Sequence, residues 1–148
     1  MRRLSKRRQG IPAMNNAGNL LFFISGVPAP QPRPRLGRGR VFNPPSANTW
    51  RAAVALAAIQ TGREFTGWVS VSIVFRFVRP PSHFLRGDLR HNSPAFPGKS
   101  AGDIDNLIKS TLDAAIGSLW VDDSQIVDIR ASRVYAETAG ATVSVSVL

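Results

Sequence analysis

The sequence predicts one α+β domain: a small mixed sheet of about four strands, largely antiparallel, packed with two helices. Three observations carry this. The segment WVSVSIVFRFV at 68–78 puts Val69, Val71, Ile73, Phe75 and Phe77 on one face and Ser70, Ser72 and Arg76 on the other. Two stretches, 47–60 and 103–116, space their apolar residues for a helix instead. The closing ATVSVSVL alternates again, Val143, Val145 and Val147 against Ser144 and Ser146. A chain of 148 residues with 43% hydrophobic content is enough for a single core.

Residues 1–19 hold five basic residues in the first eight and no apolar period, so they are expected to form a disordered basic tail ahead of a folded domain at 20–148. Met14 is an alternative start of the native chain. LLFFIS, from Leu20 to Ser25, reads as a buried strand. In GVPAPQPRPRLGRGRVFNPPS the prolines forbid a helix and space Arg33, Arg35, Arg38 and Arg40 along an extended chain suited to phosphates. Ser46 is placed to cap the helix at 47–60, whose apolar side is Trp50, Val54, Leu56, Ala57 and Ala58, and Gly62 ends it.

Residues 79–102 show no period and many turn residues, the mark of a mobile or functional loop. Its His83 and His91 read as surface or DNA-adjacent groups rather than metal ligands. Phe84 and Phe96 read as packing the loop down rather than wedging between unpaired bases. In the second helix Ile104, Leu107, Ile108, Leu112 and Ala115 form the apolar stripe, opposite Asp105, Asn106, Lys109, Ser110 and Asp113. Asp103 stands at the N-cap and Gly117 at the C′ position. SLWV then returns the chain to a turn at Asp122-Asp123, and QIVDIRASRVYA is the next strand. Trp50, Trp68 and Trp120 are expected in the core.

Nineteen basic residues against nine acidic give a formal charge of +10, and sixteen of the nineteen are arginine. Such a balance suits a polyanion, since each phosphate neutralised releases condensed counterions; nucleic acid is the expected partner. The absence of cysteine excludes disulfides, zinc-thiolate and iron-sulfur sites and fits a cytoplasmic location. LLFFI falls far short of the roughly 20 apolar residues that span a bilayer, and no clear signal-peptide cleavage site follows. No G-x-x-x-x-G-K-[ST] loop occurs, so no nucleotide cofactor is expected.

Six of the nine acids lie between residues 102 and 130. Two accounts of them stand. In one they are caps, turn residues and i,i+4 partners of Lys109, each worth about 0.3–1 kcal/mol. In the other, Asp105 and Asp123 meet; at about 4 Å their repulsion would be about 4 kcal/mol at an effective dielectric of 20, which a divalent cation offsets. Carboxylates without a neighbouring His or Cys are hard oxygen donors suited to Mg²⁺ or Mn²⁺. Such an ion lowers the pKa of bound water and stabilises charge on a phosphate. Spacing alone leaves both accounts open.

Asp103-Ile104-Asp105-Asn106-Leu107-Ile108-Lys109, then Leu112-Asp113-Ala114, then Asp122-Asp123-Ser124-Gln125-Ile126 resembles the signature of the RusA family of Holliday-junction resolvases: D-x-D-N-L-x-K, LDA, and D-D-x-Q-[VI] entering a strand. Weaker similarity covers roughly residues 20–147. The resemblance implies a small α+β homodimer with a Mg²⁺-dependent endodeoxyribonuclease site in each subunit, Mn²⁺ being a possible substitute. Its implied work is to resolve four-way junctions by paired symmetric nicks with 5′-phosphate and 3′-hydroxyl ends, in recombination and repair in a bacterial or phage-infected cell. Carried over by position, Asp103, Asp105 and Asp123 are the catalytic metal ligands and Lys109 lies near the scissile phosphate; for Asp122 the role stays open, a supporting group behind the ligands being one. Arg33, Arg35, Arg38, Arg40, Lys99 and Lys109 are the expected DNA contacts. Ala101-Gly102 departs from the Lys-Pro or basic residue of many relatives, with Lys99 as a stand-in charge. Two competing readings are a non-catalytic basic nucleic-acid-binding protein and a metal nuclease for other branched DNA.

Overall fold

The computed structural model describes residues 13–14, 18–37, 39–42 and 47–148. Its main sheet has the order β1 (Ala13–Met14), β2 (Leu20–Ser25), β9 (Gly140–Val147), β5 (Val69–Val78), β8 (Ile126–Ala136). The expected mixed α+β sheet is present as four long strands and the two-residue β1. Three neighbouring pairs are antiparallel, and β5 with β8 is parallel. A parallel pair needs a crossover, which α2 (Ile104–Ala114) provides. β1 lies within the stretch expected as a tail; residues 1–12 and Ser46, the expected cap, fall outside the described residues.

Strand alternation decides the layers. Val69, Val71, Ile73, Phe75 and Phe77 of β5 are buried with Leu20, Phe22 and Ile24 of β2 and Ala141, Val143 and Val145 of β9. The helices cover this face, α1 (Asn48–Gln60) through Trp50, Val54 and Ala58, α2 through Leu107. A fully buried residue of this size contributes about 1.5–3 kcal/mol. The other face carries Ser70, Ser72, Thr142, Ser144 and Ser146, in register across β5 and β9.

Several expectations shift. Trp68 is 69% exposed rather than core, because it shares the parity of Ser70. Leu56 and Val147 are exposed; the buried residues of α1 run at i, i+4, i+8 from Trp50, which turns Leu56 outward. Ser110, expected on the polar side of α2, is fully buried, its hydroxyl donating to the carbonyl of Ala29 at 2.6 Å. α2 ends at Ala114, and Gly117 takes its positive φ beyond the C-cap, Ala115.

Two hairpins stand where no period is visible. β3 (Arg35–Gly37) pairs with β4 (Arg40–Phe42), and β6 (Phe84–Leu85) with β7 (Asp88–Leu89). Arg86 and Gly87 turn the second hairpin with φ of 50° and 84°, the tight primed geometry. Phe84 and Phe96 do not pack the loop down: Phe96 is 65% exposed.

Candidate metal centre and its basic surround

The start of α2 holds the first pair of acids. Asp103 is the N-cap residue, with φ −70° and ψ 144°, yet its side chain makes no capping hydrogen bond. Asp105 sits in the first turn. Both are exposed, and among the described residues neither carboxylate has a hydrogen bond or ion pair. Two free carboxylates at a helix N-terminus, where the dipole favours negative charge, offer hard oxygen donors to a divalent ion.

Their backbone is firmly held. Gly102 has φ +91°, and a Cβ there would lie 2.7 Å from Cγ of Pro30. Proline cannot adopt this φ and any Cβ at 102 meets Pro30, so the glycine half of the Ala101-Gly102 departure goes with this loop's own path. The Arg133 guanidinium donates to the carbonyls of Gly102 at 2.7 Å and Gly98 at 3.2 Å, and the amide of Gln31 donates to Asn106 at 2.9 Å. Deeper in α2, the Trp50 indole donates to Oγ1 of Thr111 at 3.0 Å, and the Trp120 indole to the carbonyl of Leu112 at 3.3 Å. Arg133 was not among the sequence candidates. Its signal was an arginine in register with buried Phe75, a position where a charged group needs a polar partner.

The second pair behaves differently. Asp122 caps the short 3-10 turn Asp123–Gln125, accepting from the Ser124 amide at 2.7 Å, while the Gln125 side chain accepts from the Asp122 amide. The Ser124 amide, with its hydroxyl and Asp123, holds the Asp122 carboxyl below the usual carboxylate range. Gln125 also donates to the carbonyls of Phe65 and Gly67, tying the turn to the core. Asp123 is exposed and free of capping duty.

One chain does not bring the two pairs together. Asp123 precedes Ile126, which pairs with Val69, whereas Gly102 is held by Arg133, which pairs with Phe75. Their partners on β5, Val69 and Phe75, are six strand steps apart, about 20 Å at 3.3 Å per residue. The eleven residues of α2 are a second ruler, about 16 Å long, and its far end contacts Trp120. Asp123 and the Asp103–Asp105 pair are therefore on the order of 15–20 Å apart. Accordingly, no group of three or more His, Cys, Asp or Glu side chains able to hold a metal occurs among the described residues. The carboxylates fit Mg²⁺ in kind, and of the three expected ligands Asp103 and Asp105 are neighbours at the start of α2.

The basic candidates sit on several elements. Lys109 pairs with Asp113 at 3.2 Å, one turn past Asp105. Lys99 is exposed in the 3-10 turn Lys99–Ala101, and Arg33 is exposed on the extended segment before β3. Arg35 and Arg40 lie at the ends of the β3–β4 hairpin, and Arg38 falls outside the described residues. His83 stands edge-on to Tyr135 at 5.5 Å with Arg79 over the same ring at 4.3 Å, a packed stack rather than a ligand set.

The sequence profile of the family "Endodeoxyribonuclease RusA" matches residues 25–146. The chain belongs to the RusA family. The matched span contains both aspartate pairs, Lys109 and the arginine hairpin. An uncharacterised protein of Bacillus subtilis (strain 168), YqaN, is 31% identical over 126 residues, 78% of this chain and 87% of that protein. The RusA domain is an endodeoxyribonuclease domain that acts on DNA. No helix among its described residues is long and apolar enough to cross a membrane.

Proposed function

We propose that this protein is a Mg²⁺-dependent endonuclease, active also with Mn²⁺, that resolves Holliday junctions by paired symmetric nicks and works as a homodimer in DNA recombination and repair. The observation that carries the reading is the Asp103–Asp105 pair: two unengaged carboxylates on a rigid backbone, in a RusA domain of formal charge +10. Asp103 and Asp105 would hold the ion, and the partner's Asp123 would supply the third carboxylate, since Asp123 of the same chain is too far away. When bound, Mg²⁺ supplies charge stabilisation on the phosphate and a lowered pKa for water, giving hydrolysis with 5′-phosphate and 3′-hydroxyl ends.

The chain's own residues do the rest. Arg133 and Gly102 fix the helix start, so the two carboxylates keep their relative placement. Lys109 faces solvent one turn on, where a phosphate can exchange with Asp113 as its partner. Arg33, Arg35, Arg38, Arg40 and Lys99 add the positive field that holds the polyanion.

The test is an end-labelled four-way junction incubated with Mg²⁺ beside duplex, single strand and flap, with Asp105→Asn as control. Paired nicks confined to the junction and lost in the variant support the reading. Cuts spread over flaps or duplex replace junction specificity with a broader branched-DNA activity. Tight binding without cleavage in Mg²⁺ or Mn²⁺ returns the protein to a basic DNA-binding module.

A further inference from the structure

Two clefts adjoin at Val78 and Tyr135, where β5 and β8 end. The larger, about 450 Å³, lies under the segment 79–97 and is walled by Val78, Arg79, Phe84, Leu89, Tyr135 and Glu137. The smaller, about 220 Å³, shares Val78 and Tyr135 and reaches Pro30, Gly98 and Ala101. Ala101 precedes Gly102, whose carbonyl Arg133 holds beside Asp103. Arg133 and Tyr135 share a parity on β8 and stand about 7 Å apart along it.

The larger cleft is built on a hydrogen-bonded frame. Arg79 donates to the Pro94 carbonyl at 2.8 Å, and its guanidinium lies 4.3 Å from the centre of the Tyr135 ring. The Ser93 hydroxyl and the Arg90 amide donate to the His83 carbonyl at 2.9 and 2.8 Å. On this frame Phe84 and Leu89 stay 39% and 51% exposed, outside the hydrophobic core. Apolar surface held open by a fixed backbone is the mark of a binding cleft.

The walls define the occupant. Phe84, Tyr135 and the Arg79 guanidinium are flat surfaces of the kind on which nucleobases stack. The remaining wall is Glu137, exposed and, among the described residues, without an ion pair or a side-chain hydrogen bond. A carboxylate repels phosphate and only accepts hydrogen bonds, so it turns the base edge of a nucleotide inward. Guanine alone carries two adjacent donors, N1–H and N2–H, that match both carboxylate oxygens; adenine and cytosine present one amino group and thymine one ring N–H.

We propose that this cleft takes an unstacked guanine of a DNA strand, its ring against Phe84 and Tyr135 and its Watson–Crick edge on Glu137. A base at a branch point or in a single strand costs least to extrude, which ties the cleft to branched DNA. Because the two clefts lead towards Asp103, the guanine belongs to a nucleotide near the phosphate to be cut, and cleavage favours strands that carry it. That consequence rests on the function proposed above; the binding of guanine does not.

Tyr135 is the chain's only tyrosine, so ring-fluorinated tyrosine places a single fluorine NMR signal in the cleft. The full chain, without Mg²⁺, is titrated with a thymidine tetranucleotide carrying one guanine and with its adenine, cytosine and all-thymine counterparts. The signal is expected to shift saturably, with the guanine strand bound on the order of tenfold more tightly than the others. Glu137→Gln should erase that preference yet keep a shift, because the rings still stack, and Phe84→Ala should weaken all four strands. Both side chains are exposed, and unchanged melting temperatures separate these effects from misfolding. Equal affinities for the four strands, strands that bind without moving the signal, or a guanine preference that survives Glu137→Gln overturn the proposal. None of these readouts involves cleavage: a guanine-selective cleft in a protein that leaves junctions uncut sinks the nuclease reading alone, and junction cleavage without a selective shift sinks the cleft alone.

Discussion

Asp103–Asp105 and Asp122–Asp123 are alike on paper, two acidic pairs each next to a helical turn, and the chain treats them oppositely. Asp122 does what an N-cap aspartate ordinarily does: it binds the Ser124 amide, while Gln125 closes the box and anchors the turn to Phe65 and Gly67. Asp103 occupies the same kind of position and makes no such bond, forgoing about 1 kcal/mol of capping. Rigidity comes instead from Gly102 against Pro30, from Arg133 and from the Gln31 amide. A carboxylate that leaves local stability unclaimed while its backbone is fixed from outside is a candidate ligand; one that spends its lone pairs on its own turn is part of the scaffold.

The contrast is broken or sharpened most by Asp105→Asn. Junction cleavage in Mg²⁺ should fall on the order of 10³-fold or more, with junction binding and melting temperature retained. Asp122→Asn should keep most of the activity; equal losses in the two variants would erase the distinction. Next in size, Gly102→Ala forces a Cβ to 2.7 Å from Pro30 at φ +91°. It should cost about 1–3 kcal/mol in urea denaturation and lower cleavage as the helix start shifts.

A smaller effect is expected for Asp122→Ala, a measurable drop in melting temperature that depends on pH. The Asp122 carboxyl is depressed in the folded chain, chiefly by the Ser124 amide. Its contribution is therefore present above the ordinary carboxylate range and lost as acidification passes through its lowered folded value. Melting curves should separate wild type and variant at neutral pH and converge in acid. Smallest of all, Arg33→Ala should reduce the salt dependence of junction binding by about one unit of slope and leave stability unchanged.

Much of the fold was legible because it is written in local periods. Alternation in β5 and β9 and the stripe of α2 needed nothing beyond parity and a 3.6-residue turn. Where residue type was weighed above parity the reading slipped: Trp68 alternates with Ser70, and Leu56 lies off the Trp50–Val54–Ala58 row. Ser110 looked polar-facing because its partner, the Ala29 carbonyl, is 81 residues away in sequence. The hairpins at 35–42 and 84–89 carry no period at all. For the site, the aspartates were legible as chemistry but not as geometry, since no local spacing reveals that β8 and α2 hold Asp123 away from Asp103 and Asp105.

The indoles of Trp50 and Trp120 reach α2 from separate segments, while Trp68 stands in solvent. The protein consequently carries its own optical gauge of the helix that begins at Asp103 and Asp105. With Trp68→Phe, the remaining emission arises from two buried rings hydrogen-bonded to α2. A shift to longer wavelength with a gain in iodide quenching would then report the helix leaving its seat, without any attached dye.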